Sequence, residues 1–193
     1  MNDDRHGVLG YDDESESVLM QFERVIPARP RKVWRHLLDG ARLQEWLTNE
    51  PGGIIQWRVG GEVFLPTASS GDIIGEVTVF KPESVLAYPW TTLTFDGGDV
   101  QWSIEAAESG GTDLWLEHYA EMDLGLDHYA RSLATWHVVL DRFEASLAGR
   151  PVAMDYDQWQ HHYGDYLNRF LHLLESLMPP TAIQAPKELA TEE

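Results

Sequence analysis

Apolar residues recur along this chain with two different periods. Between Tyr129 and Gly149 they fall at Leu133, Trp136, Leu140, Phe143 and Leu147, three or four residues apart. That spacing predicts a helix with all five on one face. Val139 widens the face, and Asp141, Arg142 and Glu144 lie away from its centre. Gly149 predicts the end of the helix, with Pro151 just beyond, because Gly takes the left-handed cap conformation and Pro cannot continue a helix. So long a helix with a broad apolar stripe needs a broad apolar partner. The preceding segment supplies one.

From residue 54 the period changes to two. The alternation predicts strands over 54–59, 62–67, 72–80, 84–95, 100–107 and 112–122, the first two joined by a Gly60-Gly61 hairpin turn. The turns between them are short and Gly- or Pro-containing, which favours an antiparallel meander. Pro89 in the middle of 84–95 predicts an edge or a bulge there. Upstream, 18–26 alternates well enough for a first strand. Pro30 opens a short helix carrying Val33, Trp34, Leu37 and Leu38, although Arg29 is a poor N-cap. After Gly40 a second short helix over 41–47 carries Leu43, Trp46 and Leu47.

Beyond Gly149, residues 154–178 have a second amphipathic pattern. Trp159, Tyr163, Tyr166, Leu167, Phe170, Leu174, Leu177 and Met178 share one side. The organisation predicted is therefore an acidic flexible segment over 1–17, a folded domain over 18–149, an added helix within 150–178 and a disordered tail over 179–193. The added helix folds back on its own domain or makes a homodimer contact.

Strand, two short helices, a six-strand meander and a long helix is the order of the helix-grip fold. Residues 28–47 resemble the opening of the START-like proteins related to the activator of the heat-shock protein 90 ATPase. The matching positions are Pro30, Val33-Trp34, Leu37, Leu43 and Trp46. Gly60-Gly61 looks like the family's hairpin, and Gly75-Glu76-Val77 with Pro82, Leu86, Tyr88 and Trp90 is similar to its next block. The run from Gly111 to His118 looks like its penultimate segment, and Trp136 and Leu140 stand where its last helix carries Trp and Leu. One departure is Thr135 before Trp136, where the family usually has Gly. The resemblance covers residues 18–149. It implies an α+β fold, with a curved antiparallel sheet of about seven strands around the long helix. It implies function only broadly, since such proteins include lipid and hormone binders, polyketide cyclases and cochaperones.

In this fold, sheet and long helix usually enclose a cavity. Strand alternation assigns its lining to Val77 and Val79; Tyr88 and Trp90; Val100, Trp102 and Ile104; and Leu114, Leu116 and His118. The long helix adds Leu133, Trp136 and Leu140, and the second short helix adds Trp46. Apolar and aromatic walls with few polar groups suit a small apolar molecule. His118 is the one titratable residue expected to point inward, and so the one candidate acid–base group, against the alternative of a hydrogen-bonded core histidine.

Composition narrows the classes. The chain has 193 residues, 43% of them hydrophobic, with eight Trp, enough for a sizeable core. The absence of Cys excludes thiol nucleophiles and thiolate metal sites. A formal charge of -18 repels phosphate backbones and anionic lipid, so neither nucleic acid nor membrane insertion is expected. No apolar signal core is evident and a cytoplasmic location is expected. His161 and His162 are neighbours on a helix and diverge by about 100°, so they do not chelate as an i,i+4 pair would. No metal and no cofactor are expected. Three functions follow in order: a binder of a small apolar or amphipathic molecule, an enzyme of the cyclase, dehydratase or hydrolase kind, and a cochaperone-like interaction module.

Overall fold

The structure, a computed structural model, describes residues 5–67, 71–108 and 110–177, with backbone alone over 175–177. The disordered tail expected over 179–193 and Met178 lie outside the described residues. Among the described residues, nine strands and four α-helices follow one another in an α+β architecture. They are β1 (Val8–Asp12), β2 (Ser17–Ile26), α1 (Pro30–Leu38), α2 (Gly40–Trp46), β3 (Ile54–Ile55), β4 (Glu62–Leu65), β5 (Ile73–Glu76), β6 (Val79–Lys81), β7 (Val85–Thr91), β8 (Asp96–Ala106), β9 (Thr112–Ala120), α3 (Gly125–Leu147) and α4 (Tyr156–Leu177).

Six antiparallel strands form one sheet in the order β1-β2-β9-β8-β7-β6, and β3-β4-β5 form a second. The long helix α3 lies across the large sheet as the helix-grip order requires. Its Leu133, Trp136, Leu140, Phe143 and Leu147 are all buried. Facing them are Met20 and Phe22 from β2, Val100, Trp102 and Ile104 from β8, and Leu114 and Leu116 from β9. Alternation along β9 is strict, with every second residue buried, so strand parity read from sequence survives there. Helix α1 begins without a side-chain cap at Arg29 and with Pro30 in its first turn. Helix α2 is capped by the Asp39 carboxylate, which accepts the Ala41 N–H at 3.2 Å.

Four expectations are corrected. The segment 1–17 is not wholly a flexible lead-in, because Val8–Asp12 pair with residues 17–21. The Asp12 carboxylate closes this hairpin by accepting the Ser15 N–H at 2.8 Å. On this short edge strand Leu9 alone packs against the core, so there is little alternation to read. The predicted strand 72–80 breaks at Val77–Thr78. Its first half pairs with β4 and its second with β7, where the Thr78 N–H donates to the Ala87 carbonyl. Pro89 has no N–H for a further rung, and its ring packs over Gly75, where a Cβ would collide with it. The switch reverses parity: Val77 is buried, but Phe80 rather than Val79 packs on the core, its ring 5.9 Å from Trp34. The Gly60-Gly61 turn is part of a longer loop, since β3 ends at Ile55. Finally, the turn expected at 96–99 belongs to β8, which pairs Asp96 with Thr91 across an irregularity at Pro89.

Helix α4 packs against α3. Tyr166 and Phe170 are buried, and Trp159, Tyr163 and Leu167 are half-buried against the core. Polar ties complete the seam. Trp159 Nε1 donates to Thr135 Oγ1 at 3.0 Å, and Tyr163 Oη donates to Asp127 at 2.6 Å. Leu174, expected on the same side, is 44% exposed. Among the described residues no helix is long and apolar enough to cross a membrane.

Candidate functional site

The residues assigned to a cavity lining do meet, Val79 excepted, between the large sheet and α3. They meet as a file of rings. Trp46 of α2 lies edge-on to Trp102 at 5.7 Å, Trp102 edge-on to Trp136 at 5.8 Å, and Trp136 against Trp90 at 4.6 Å. Phe143 closes the inner end, 5.0 Å from Trp46. Edge-to-face and tilted contacts at these separations are the favoured arrangements for aromatic quadrupoles. Leu133, Leu140, Val100, Ile104, Leu114 and Leu116 are buried around the file.

Among the described residues, the fully buried side-chain nitrogens and oxygens of this file are hydrogen-bonded with one exception. Trp102 Nε1 donates to Tyr88 Oη at 3.1 Å, and burial pushes the Tyr88 hydroxyl well above its ordinary pKa. Trp136 Nε1 donates to His118 Nδ1 at 2.9 Å. His118 Nε2 is 2.6 Å from the Gly97 carbonyl. These bonds settle the tautomer: Nδ1 accepts, so Nε2 carries the proton and donates. Trp46 Nε1 is buried with no hydrogen-bond partner among the described residues.

His118 is 2% exposed, and its pKa is pushed down to about 4, chiefly by burial, against the opposing pull of the Gly97 carbonyl. His36 is pushed down to about 4 as well, by burial and then by Arg42. The unfolded chain takes up these protons below about pH 6.5, the folded chain only near pH 4. Their contribution to stability is whole above pH 6.5 and is lost as the pH falls toward 4, at up to about 1.4 kcal/mol per pH unit for His118. Denaturant titrations across that window should show a falling midpoint, with a shallower fall in His118→Gln. A flat profile would contradict the burial of these imidazoles.

The file reaches the surface at Trp90, which is half-buried. Around it lie the turn Thr92–Phe95 and the start of α3. Leu93 is 89% exposed and Phe95 is 40% exposed. The Phe95 ring stands 5.4 Å from His128 in the first turn of α3. Beside the same turn a cleft of about 400 Å³ is lined by Phe64, Gly71, Asp72, Ile74, Thr92, Leu93 and Thr94. A second cleft, of about 410 Å³, lies at the far end among Lys32, Arg35, His36, Arg42 and Ser146. There His36 Nε2 is 2.8 Å from Ser146 Oγ, which donates in turn to the Glu45 carboxylate. The serine proton is committed to the carboxylate, so the trio ties α1, α2 and α3 together and is not arranged as a nucleophile with its base.

Two groups escaped the sequence. By sequence Arg142 lies away from the centre of the apolar face of α3, yet it is 4% exposed. Its Nη2, Nη1 and Nε donate to the carbonyls of Glu45, Trp46 and Val152 at 3.0, 3.2 and 3.1 Å. No local pattern marks a guanidinium that caps a neighbouring helix. The second group is His6, His137 and His162, each unremarkable alone and brought together by the fold. No metal is expected from the sequence, where these three imidazoles do not lie together.

These features define a helix-grip protein with a packed aromatic core whose outermost ring, Trp90, is half-buried. Residues 27–148 match the family model described as activator of Hsp90 ATPase homolog 1-like protein, and the chain belongs to that family. No curated protein matches. Among solved structures, CalU16 from Micromonospora echinospora is 20% identical, with a TM-score of 0.66 over 88% of this chain and 97% of its own. A conserved protein of unknown function from Enterococcus faecalis, EF2215, is 19% identical, with a TM-score of 0.64 over 90% of this chain and 92% of its own. The Aha1 dimer structure from Colwellia psychrerythraea is 20% identical, with a TM-score of 0.57 over 67% of this chain and 95% of that one. The first two shares are too large to be met by residues 27–148 alone. At these identities the likeness is one of fold.

Proposed function

We propose that the chain binds a small apolar or amphipathic molecule at the outer end of the aromatic file, with Trp90 as its principal contact. The observation that carries this is the apolar rim. Leu93, exposed, lines a cleft of about 400 Å³ together with Phe64 and Ile74, and exposed Phe95 and half-buried Trp90 flank the same turn. Exposed large apolar groups gathered round a concavity of that size are the ordinary signature of a ligand site.

Proton transfer by His118 ranks second. Both its ring nitrogens are engaged, one accepting and one donating, so it serves better as a lock between β9 and α3 than as an acid or base. A cochaperone-like interaction module using 154–178, with pairing of two copies as one form of it, ranks third. An Aha1 structure of this fold is a dimer, but here the aromatic side of α4 is already spent on α3, leaving Leu171, Leu173 and Leu174 exposed toward its end.

Native mass spectrometry of the freshly purified protein, compared with a denatured sample, tests the reading. A non-covalent adduct of a few hundred daltons is expected, together with a shift in Trp fluorescence on titration with medium-chain alcohols. Trp90→Ala should weaken the adduct at least tenfold, about 1.4 kcal/mol or more, through loss of a stacked ring. No adduct and no fluorescence response to any apolar compound would sink it.

A further inference from the structure

Three histidines from distant stretches meet where the N-terminal segment crosses the α3–α4 seam. His6 precedes β1, His137 lies in the middle of α3, and His162 lies in α4. One ring nitrogen from each lies within 4.8 Å of those of the other two. The His137 and His162 rings stack at 3.8 Å, and the His6 ring meets His137 edge-on at 5.2 Å.

Buried polar atoms are normally paired. Both ring nitrogens of His162 are shut from solvent with no hydrogen-bond partner among the described residues. A neutral imidazole carries one N–H and one lone pair, so His162 holds an unused lone pair inside the cluster. His137 has the outer support that a ligating imidazole usually has. Its Nδ1 is 3.0 Å from Tyr166 Oη, itself held by the Gly7 N–H at 2.8 Å. With Nδ1–H donating to Tyr166, Nε2 is left to ligate.

The charges that face the cluster nearly balance. Asp141 and Glu144 of α3 stand against Arg5 of the N-terminal segment, which bonds both at 2.7 Å, and Arg24 of β2. On α4, Asp165 pairs with His161 at 3.3 Å. A divalent cation therefore meets no net positive shell.

We propose that His6, His137 and His162 form a three-imidazole site for a borderline divalent transition metal such as Zn²⁺, clasping the N-terminal segment to α3 and α4. Imidazole nitrogens select Zn²⁺, Cu²⁺ or Ni²⁺ over Mg²⁺ and Ca²⁺. Three protein ligands leave one tetrahedral position for water. Zn–N bonds of about 2.0–2.1 Å place ligand nitrogens about 3.4 Å apart. The rings must therefore close together on loading, by side-chain rotation that separates the His137–His162 stack.

The test is calorimetric titration of Zn²⁺ into the chelator-treated 193-residue chain. One Zn²⁺ per chain is expected, with Tm raised by about 5–10 °C at a hundredfold excess over Kd, and no response to Mg²⁺. His162→Gln and His6→Gln should each weaken binding at least tenfold. His161→Gln, at the exposed neighbouring position, should bind as the parent does. Co²⁺ should give a visible ligand-field band in the parent that is missing in His162→Gln. His137 is left unchanged because its loss would also disturb Tyr166. No binding by the parent, or binding that survives both the His6 and His162 substitutions, overturns the proposal.

Discussion

Trp136→Ala should lower the unfolding free energy by about 3–5 kcal/mol, the cost of deleting a large ring from a close-packed core. Trp136 is buried at the centre of the file, in contact with Trp90, Trp102 and His118. Its deletion empties a space that those rings cannot all move to fill. It also strips His118 Nδ1 of its donor and leaves a buried acceptor unmet. Trp136→Phe separates the two effects. It retains most of the apolar area but not the N–H, and should cost about 1–3 kcal/mol. Denaturant unfolding of both variants beside the parent reads the difference. An alanine variant within about 1 kcal/mol of the parent would mean that the core does not rest on this ring, contrary to its packing here.

Removal of Arg142 should be nearly as damaging, on the order of 3 kcal/mol for Arg142→Ala. The guanidinium donates to three carbonyls that no other described side chain reaches: Glu45 and Trp46 at the end of α2, and Val152 in the link to α4. Truncation leaves those carbonyls partly buried and unpaired, each costing about 1–3 kcal/mol unless water enters. Arg142→Lys should recover little, since an ammonium lacks the planar fork that reaches three acceptors at once. Hydrogen exchange resolves where the damage falls. The amides of α2 should lose protection before those of α3, because α2 is short and depends on this cap. Uniform loss across the sheet would contradict the local role assigned to Arg142.

Apart from β1 and the break within 72–80, the sequence by itself determined the helix–strand order, and with it the apolar stripe of α3 and the inward parity of β8 and β9. Each is a local periodic signal, repeated often enough to fix which face is buried. The meeting of Trp46, Trp102 and Trp136 follows from that order, because the helix-grip arrangement admits one way for stripe and sheet to face each other. The tertiary structure alone decided the rest. Val79 exchanged places with Phe80 because Pro89 interrupts a ladder between strands, which is a property of the pair and not of either segment. Edge strand β1 is held by its partner and carries no stripe of its own. Arg142 sits beside apolar neighbours in sequence, but its three acceptors come from other elements. His6, His137 and His162 are far apart in sequence and come together only through the packing of α4 and the N-terminal segment on α3. Periodicity records the face a residue presents; long-range packing decides what that face meets.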